Sequence, residues 1–286
     1  MKQTRKKLLA GLLVLALMLG LCACGGSKTP EEVIAKAGEN LAGAKSMTFD
    51  MAMKMGMSAG DETVDVTMTL NGETTTEPAI VHADMNIDMG GFGAIAMEMY
   101  AEQSDSTVAT YIGVDLGSGL TWMKEETALD EASAILDARG DMGSSLALAA
   151  NLKEIGTETV GGVETTRYDG VITKENLHEM MENNGMLDEL GDTLDLKQSL
   201  EEAAEDTEAL SDVPISIWID KEAMLPVKYE MDMTEMMQSL MAQVSAAVSM
   251  EYPTVSGMKI SMTIGGIDTV EAITIPDEAR NAESLS

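Results

Sequence analysis

Six apolar side chains fall on odd positions, Met47, Phe49, Met51, Met53, Met55 and Met57, and alternate with Thr48, Asp50, Ala52, Lys54 and Gly56. A period of two belongs to a β-strand, whose successive side chains point to opposite faces. The stretch predicts a half-buried antiparallel strand with a methionine ladder on one face and polar or small residues on the other. Alternation returns at Val64, Val66, Met68 and Leu70, at Ala79, Val81, Ala83, Met85, Ile87 and Met89, and at Ile95, Met97 and Met99. Residues 108–114 read as a fifth strand and residues 120–123 as a short sixth. Asp61, Asn71-Gly72 and Gly90-Gly91 supply turn signals, so the strands form a meander of hairpins rather than βαβ crossovers.

Helical spacing brackets this block. Thr29, Pro30 and Glu32 make a capping box ahead of an apolar stripe of Val33, Ile34, Ala37 and Leu41, with Gly43 as the stop. After the meander, Leu129, Ala132, Ile135 and Leu136 keep one helical face that Gly140 ends, and residues 146–152 read as another short helix. Gly161-Gly162 turns between two strands, the second covering residues 163–172. Thr173 caps a helix carrying Leu177, Met180 and Met181, which Asn183-Asn184-Gly185 breaks. Residues 194–210 are acidic and helical, with Leu196, Leu200, Ala203 and Ala204 inward. Strands return at Ile215, Ile217 and Ile219 and at Val227, Tyr229, Met231 and Met233. Met237, Leu240, Met241, Val244 and Val248 then space as a helix over 235–249, a lid or a sheet-packing element. Met258, Ile260, Met262 and Ile264 give the last long strand.

The first residues place the chain. Lys2, Arg5, Lys6 and Lys7 precede an apolar run over residues 8–21, too short to span a bilayer and shaped like a secretory h-region. Leu21-Cys22-Ala23-Cys24 follows, then Gly25-Gly26-Ser27. This resembles a bacterial lipobox, in which Cys24 would receive a diacylglyceryl group and become the mature N-terminus. Two acyl chains suffice for stable anchoring. The reading is of an exported lipoprotein held on the cell membrane through lipidated Cys24, facing away from the cytoplasm. The tether over residues 25–29 reaches at most roughly 17 Å.

Charge and composition narrow the partners. The formal charge is −31, and without the first 23 residues 14 basic residues face 49 acidic ones, giving −35. Such a surface repels nucleic acid and anionic head groups, so the lipid must hold the protein at the membrane. Beyond Cys22 and Cys24 there is no cysteine, hence no disulfide and no thiol nucleophile in the domain. Aromatics are only 3%, while methionine numbers 26. Methionine is flexible and polarizable and fills irregular apolar space, which suits a variable apolar ligand.

Local motifs carry a family resemblance. Ile217-Trp218-Ile219-Asp220-Lys221 with Leu225-Pro226-Val227, Val160-Gly161-Gly162-Val163 leading to Tyr168-Asp169-Gly170-Val171, and the closing Ile273-Thr274-Ile275-Pro276 are similar to segments of the LppX/LprG-type bacterial lipoproteins with a LolA-like fold. The resemblance implies an α+β domain: a strongly curved antiparallel β-sheet, a half-barrel, with helices packed on its concave face. Members hold acylated lipids or lipoproteins between sheet and helices and share no catalytic set. The methionine content and the 235–249 helix depart from that pattern. Residues 30–276 then form the single LolA-like domain, and residues 277–286 a flexible tail.

Catalytic chemistry finds little support. His178-Glu179 matches half of a zincin helix, but the second histidine is absent. His82 falls in the polar row of a strand and is expected to face water. No Gly-x-Ser-x-Gly elbow or phosphate-cradling loop is present. The reading is therefore a non-enzymatic binding protein without a cofactor, whose lipid or apolar ligand is lined by Met51, Met53, Met55, Met85, Met97, Met231 and Met262. Two alternatives stand beside it. One is an interaction lipoprotein with a filled core and an acidic exterior. The other is a Cu(I) site of thioether donors, for which neighbours on one strand lie roughly 6.5–7 Å apart and need help from another strand.

Overall fold

The computed structural model describes residues 28–59, 62–115, 117, 119–177, 210–248 and 254–284. Helix α1 (Pro30–Ala42) begins as its sequence dictates: the Thr29 hydroxyl accepts the Glu32 N–H, and the Glu32 carboxylate accepts the Thr29 N–H. Six strands then run in a meander, β1 (Ser46–Ala59), β2 (Glu62–Thr76), β3 (Ala79–Asp88), β4 (Ala94–Ser104), β5 (Thr107–Asp115) and β6 (Leu120–Ala128). Helices α2 (Leu129–Leu136) and α3 (Ala138–Ala147) lead to a second antiparallel series, β7 (Ala149–Val160), β8 (Val163–Ile172), β9 (Val213–Asp220), β10 (Pro226–Asp232) and β11 (Thr254–Gly265). Helix α4 (Thr234–Val248) joins β10 to β11, and a short α5 (Asp277–Arg280) follows.

All eleven strands make one open sheet in the order β6-β5-β4-β3-β2-β1-β11-β10-β9-β8-β7. Two meanders are thus welded by a single antiparallel pair, β1 against β11. This is the expected α+β class with one large antiparallel sheet. Helices α1 to α4 cover the face that carries the odd residues of β1. Leu41 of α1 packs with Met47, Phe49, Met262 and Ile264, and Met142 of α3 joins them. Ala132 and Leu136 of α2 pack on Val81, Ala101 and Val108. Ile34 and Ala37 of α1, with Met236 of α4, close over Tyr168, Ile215, Ile217 and Ile219. Helices α1 and α3 cross at Gly38 and Gly143, where a Cβ on either would sit 2.7 Å from the carbonyl oxygen of the other. Arg139, buried in α3, donates from Nη1 to the Ala44 carbonyl at 2.6 Å and ties α3 to the end of α1.

Several sequence expectations need correction. Asn71-Gly72 is no hairpin: both lie mid-strand in β2, paired with Asp50 and Phe49, and the turn comes at Glu77-Pro78. Gly72 is there because the Phe49 ring occupies the space its Cβ would need, a close approach of the kind that places glycine inside strands. Gly140 does not end a helix. Asp137 separates α2 from α3 and caps α3 by accepting the Gly140 N–H at 3.2 Å. Residues 146–152 are not one helix, since Leu146 closes α3 and Leu152 is a core residue of β7. Strand β6 runs to Ala128, five residues beyond the expectation. Residues 277–284, read as part of a flexible tail, are docked: Ala279 is fully buried, Ile275 packs with Tyr100 and Tyr111, and Arg280 forks onto Glu102 at 2.7 and 3.0 Å. The expected lipidation site Cys24, the turn at Asp61, the helix beyond Leu177 and the acidic helix up to residue 209 lie outside the described residues.

Candidate functional site

The cross-strand register carries the parity of β1 across the sheet. One row runs Tyr229–Met262–Met51–Leu70–Met85–Met97–Val114 over seven strands. The next runs Met231–Ile260–Met53–Met68–Ile87–Ile95, and a third Met258–Met55–Val66. On the helix side lies Ile264–Phe49–Gly72–Ala83–Met99–Ile112–Met123. The result is one apolar face without a charged side chain in any of these four rows.

Cover over this face is uneven. At the helix end Met47 is fully buried, and Phe49, Val81, Ala101 and Val108 are buried beneath α1, α2 and α3. Towards the other end, Met53, Met55, Met57, Val64, Val66, Met68, Met85, Ile87, Ile95 and Met97 are all half-buried. That patch crosses β1 to β4, three inter-strand steps of roughly 4.8 Å, and about six residues of strand, so in plan it measures roughly 14 by 20 Å. Surface patches of this order on soluble proteins commonly mark binding sites.

All seven methionines expected as lining lie on this face. Met53, Met55, Met85 and Met97 belong to the half-buried patch, and Met85 sits directly opposite Met97. Met51 is half-buried but also packs into the α1–α3 cluster, and Met231 packs into the core beneath α1 and α4. Met262 is buried, and its Sδ accepts the Tyr229 hydroxyl at 3.0 Å. Burial pushes the Tyr229 phenol up to about 12, so it remains a donor across the neutral range. These last three are core first and lining second. The expected lining set leaves out Met57, Met68, Met99 and Met258, which the structure puts on the same face. All four were visible in the alternation, whereas the pairing of Met68 with Met53 and of Met258 with Met55 becomes known only from register.

The opposite face is polar. It carries a cavity of about 400 Å3 lined by Lys54, Ser216, Glu230, Asp232, Lys259 and Ser261, with Ala52, Pro214, Met231 and Ile260 also in its wall. Two of its charges are paired, Lys259 with Asp232 at 3.3 Å, and Glu230 pairs with the neighbouring Lys228 at 2.6 Å. Hydrogen bonds from Thr234 hold the Asp232 carboxyl below its ordinary range. A charged hollow does not suit an acyl chain. Of the seven methionines expected to line the ligand only Met231 borders this cavity, so the two spaces largely differ. Further along the same face, Arg167 forks onto Asp169 at 2.7 and 3.1 Å and lies 5.1 Å from the Trp218 ring. His82 also lies on this face, but it is not an open surface residue: its ring stacks on Tyr100 with centroids 4.4 Å apart. No helix among the described residues is long and apolar enough to cross a membrane.

Comparison with known proteins follows the same lines. Among solved structures the protein is similar to LprF from Mycobacterium bovis, at 14% identity over 89% of this chain and 100% of that one, with a TM-score of 0.45. It is similar to lipoprotein LppX from Mycobacterium tuberculosis, at 15% identity over 86% and 100%, with a TM-score of 0.43. A LolA superfamily protein from Nitrosomonas europaea matches at 10% identity over 88% and 97%, with a TM-score of 0.22. These are the lipoprotein and LolA-like groups that the local motifs resemble, and no ligand or activity is carried over from them. No curated protein matches the chain. Residues 29–284, from the helix cap to the docked C-terminal segment, match one family profile along their whole length, and the chain belongs to the Family of unknown function (DUF6612).

Proposed function

We propose that the protein is a membrane-tethered, extracytoplasmic lipoprotein that binds a lipid or other apolar ligand on the methionine face of its sheet, without catalysis. The observation that carries the reading is the half-buried continuation of the core face across β4, β3, β2 and β1, outside the clusters packed beneath α1, α2 and α3. A face built to be permanently closed would be covered along its whole length, as it is at Met47 and Phe49. Methionine suits such a surface, because its unbranched thioether adapts to irregular apolar shapes. Met53, Met55, Met85 and Met97 would line the ligand directly, with Met51, Met231 and Met262 supporting from the core side. Cys24 would supply the anchor, and the acidic domain would stand off anionic head groups.

Mass spectrometry of the domain from residue 25 onward, purified without detergent, tests the reading. Co-purified lipid, or saturable uptake of a fluorescent long-chain fatty acid, is the expected result. A ligand-free protein that takes up no such probe would favour instead an interaction module acting through its acidic exterior.

A further inference from the structure

The polar face of β2, β3 and β4 holds a set of donors that the apolar-ligand reading does not use. His82 and Asp84 are neighbours on that face of β3. Glu98 lies directly across from Asp84 on β4, and Glu73 directly across from His82 on β2. His82 Nε2, one Asp84 oxygen and one Glu98 oxygen all lie within 4.8 Å of one another. Nε2 stands 3.5 Å from Glu98 Oε1 and 3.8 Å from Asp84 Oδ2. These separations are too long for good hydrogen bonds. They are close to the edge of a tetrahedron around a cation with ligands at 2.0–2.1 Å, roughly 3.4 Å.

Four further observations point the same way. His82 Nε2 is sealed from solvent and has no hydrogen-bond partner, although the ring is 19% exposed. The ring is fixed in place by stacking on Tyr100. Glu73 Oε1 lies 3.6 Å from Nδ1, longer than a hydrogen bond but on the side where an outer carboxylate orients a metal-bound imidazole. Glu98 Oε1 accepts the Tyr100 hydroxyl at 2.7 Å, so the candidate ligand oxygen is itself aimed. The pairing of Asp84 with Glu98 is moreover unfavourable by itself, since like charges directly opposite on a sheet repel. The three carboxylates, Glu73, Asp84 and Glu98, each have His82 as an ion-pairing neighbour. With a neutral imidazole the cluster carries three negative charges.

We propose that His82, Asp84 and Glu98 form a site for a divalent cation of the zinc class, with a solvent ligand completing the tetrahedron and Glu73 and Tyr100 orienting the donors. One nitrogen and two carboxylate oxygens suit Zn2+, whereas Ca2+ takes oxygen alone. The exposed Asp84 leaves one side open for entry. The site stands apart from the methionine face, because the pleat puts it on the other side of the same strands.

The test is a Zn2+ titration of the chelator-treated full chain in detergent micelles, followed by calorimetry and by the imidazole Cε1–H resonances at fixed neutral pH. The chain has two histidines, so His178 is an internal reference. The expected result is one Zn2+ per chain, with the His82 resonance moving to saturation at one equivalent. Asp84→Asn and Glu98→Gln should weaken binding at least tenfold, and Glu73→Gln by about tenfold. Asp84→Asn guards against misfolding as the cause, because that side chain is 60% exposed. Diffuse association with an acidic surface would leave the His82 resonance unmoved and binding indifferent to Asp84→Asn, and either result overturns the proposal.

Discussion

Replacing Met53, Met55 and Met68 together by glutamine tests the apolar face at its centre. Met53 and Met68 are direct cross-strand partners, and Met55 lies two residues along the same ladder. All three are half-buried and stand outside the packed clusters beneath the helices. Fully burying a methionine side chain is worth about 1.5–3 kcal/mol. About two-thirds or more of that is already realised in the free protein, so a covering ligand gains at most roughly 0.5–1 kcal/mol per residue. Three residues sum to at most about 1.5–3 kcal/mol, a loss of up to roughly 10- to 150-fold in affinity. The fold should lose about 1–2 kcal/mol per site, the share of burial already made. Titration of a fluorescent long-chain fatty acid reads the first quantity, and urea unfolding reads the second. Lys54→Gln, which changes the polar face between Met53 and Met55, should leave the affinity unchanged. Wild-type affinity in the folded triple variant would refute the assignment of this face.

Other expectations are independent of the ligand. Cys24→Ala should abolish incorporation of labelled fatty acid and release the protein from the membrane fraction; retained label would place the lipid elsewhere. Gly38→Ala drives a methyl group against the Gly143 carbonyl at the α1–α3 crossing and should cost about 1–3 kcal/mol in urea unfolding, whereas an unchanged midpoint would mean the helices separate freely. Arg280→Ala removes the fork onto Glu102 that pins the C-terminal segment, and should cost about 0.5–1 kcal/mol and expose that segment to carboxypeptidase. Acid should weaken the fold. Burial alone would raise the Asp169 carboxyl, but Arg167 and Ser216 outweigh it and hold it below its ordinary range, as Thr234 does Asp232. A depressed carboxyl contributes stability that is present above its unfolded value, about 3.9, and lost as pH falls through the folded one. Unfolding midpoints should therefore drop below pH 4, and Asp169→Asn should flatten part of that drop; a variant with the wild-type acid profile would refute the linkage.

Most strands were legible because a period of two shows which residues share a face, whereas β7, whose pairing with β8 shifts register twice, was not. The capping box at Thr29 and Glu32 was equally plain, since the chemistry of that helix start is local. What failed was long-range. Asn71-Gly72 carries the sequence of a tight turn, but the glycine is required by a ring on the neighbouring strand, and no local rule contains Phe49. Leu152 spaces like a helical residue after Leu146, yet it belongs to a strand that packs beneath α1. The docked tail was hidden for the same reason: Ala279 is apolar only by context, and its partners Tyr100 and Tyr111 lie far back in the chain. The methionine ladder was readable as a face, but not which methionines meet, because register is set by pairing between distant strands.

The choice of methionine over leucine on the uncovered part of the face has a physical reason. A branched side chain fills one shape well and leaves voids against others, whereas an unbranched thioether with three rotatable bonds can meet several shapes. That freedom has a cost, because fixing a methionine side chain loses up to about 1.5–2 kcal/mol of rotamer entropy against about 0.5–1 for leucine. In a permanent core this favours leucine, isoleucine and valine, which Ile34 of α1 meets at Val213, Ile215 and Ile217, while Met47 and Met262 under Leu41 are the buried exceptions. On a surface that is sometimes bare, the unfixed side chains keep their entropy in the free state, and the loss falls on the bound state alone. Such a face gains less per ligand but accepts more kinds of ligand. The division of residue types across one continuous sheet face, largely aliphatic and tight under α1, methionine-rich and half-buried over β1 to β4, is therefore the pattern that breadth of apolar recognition would select.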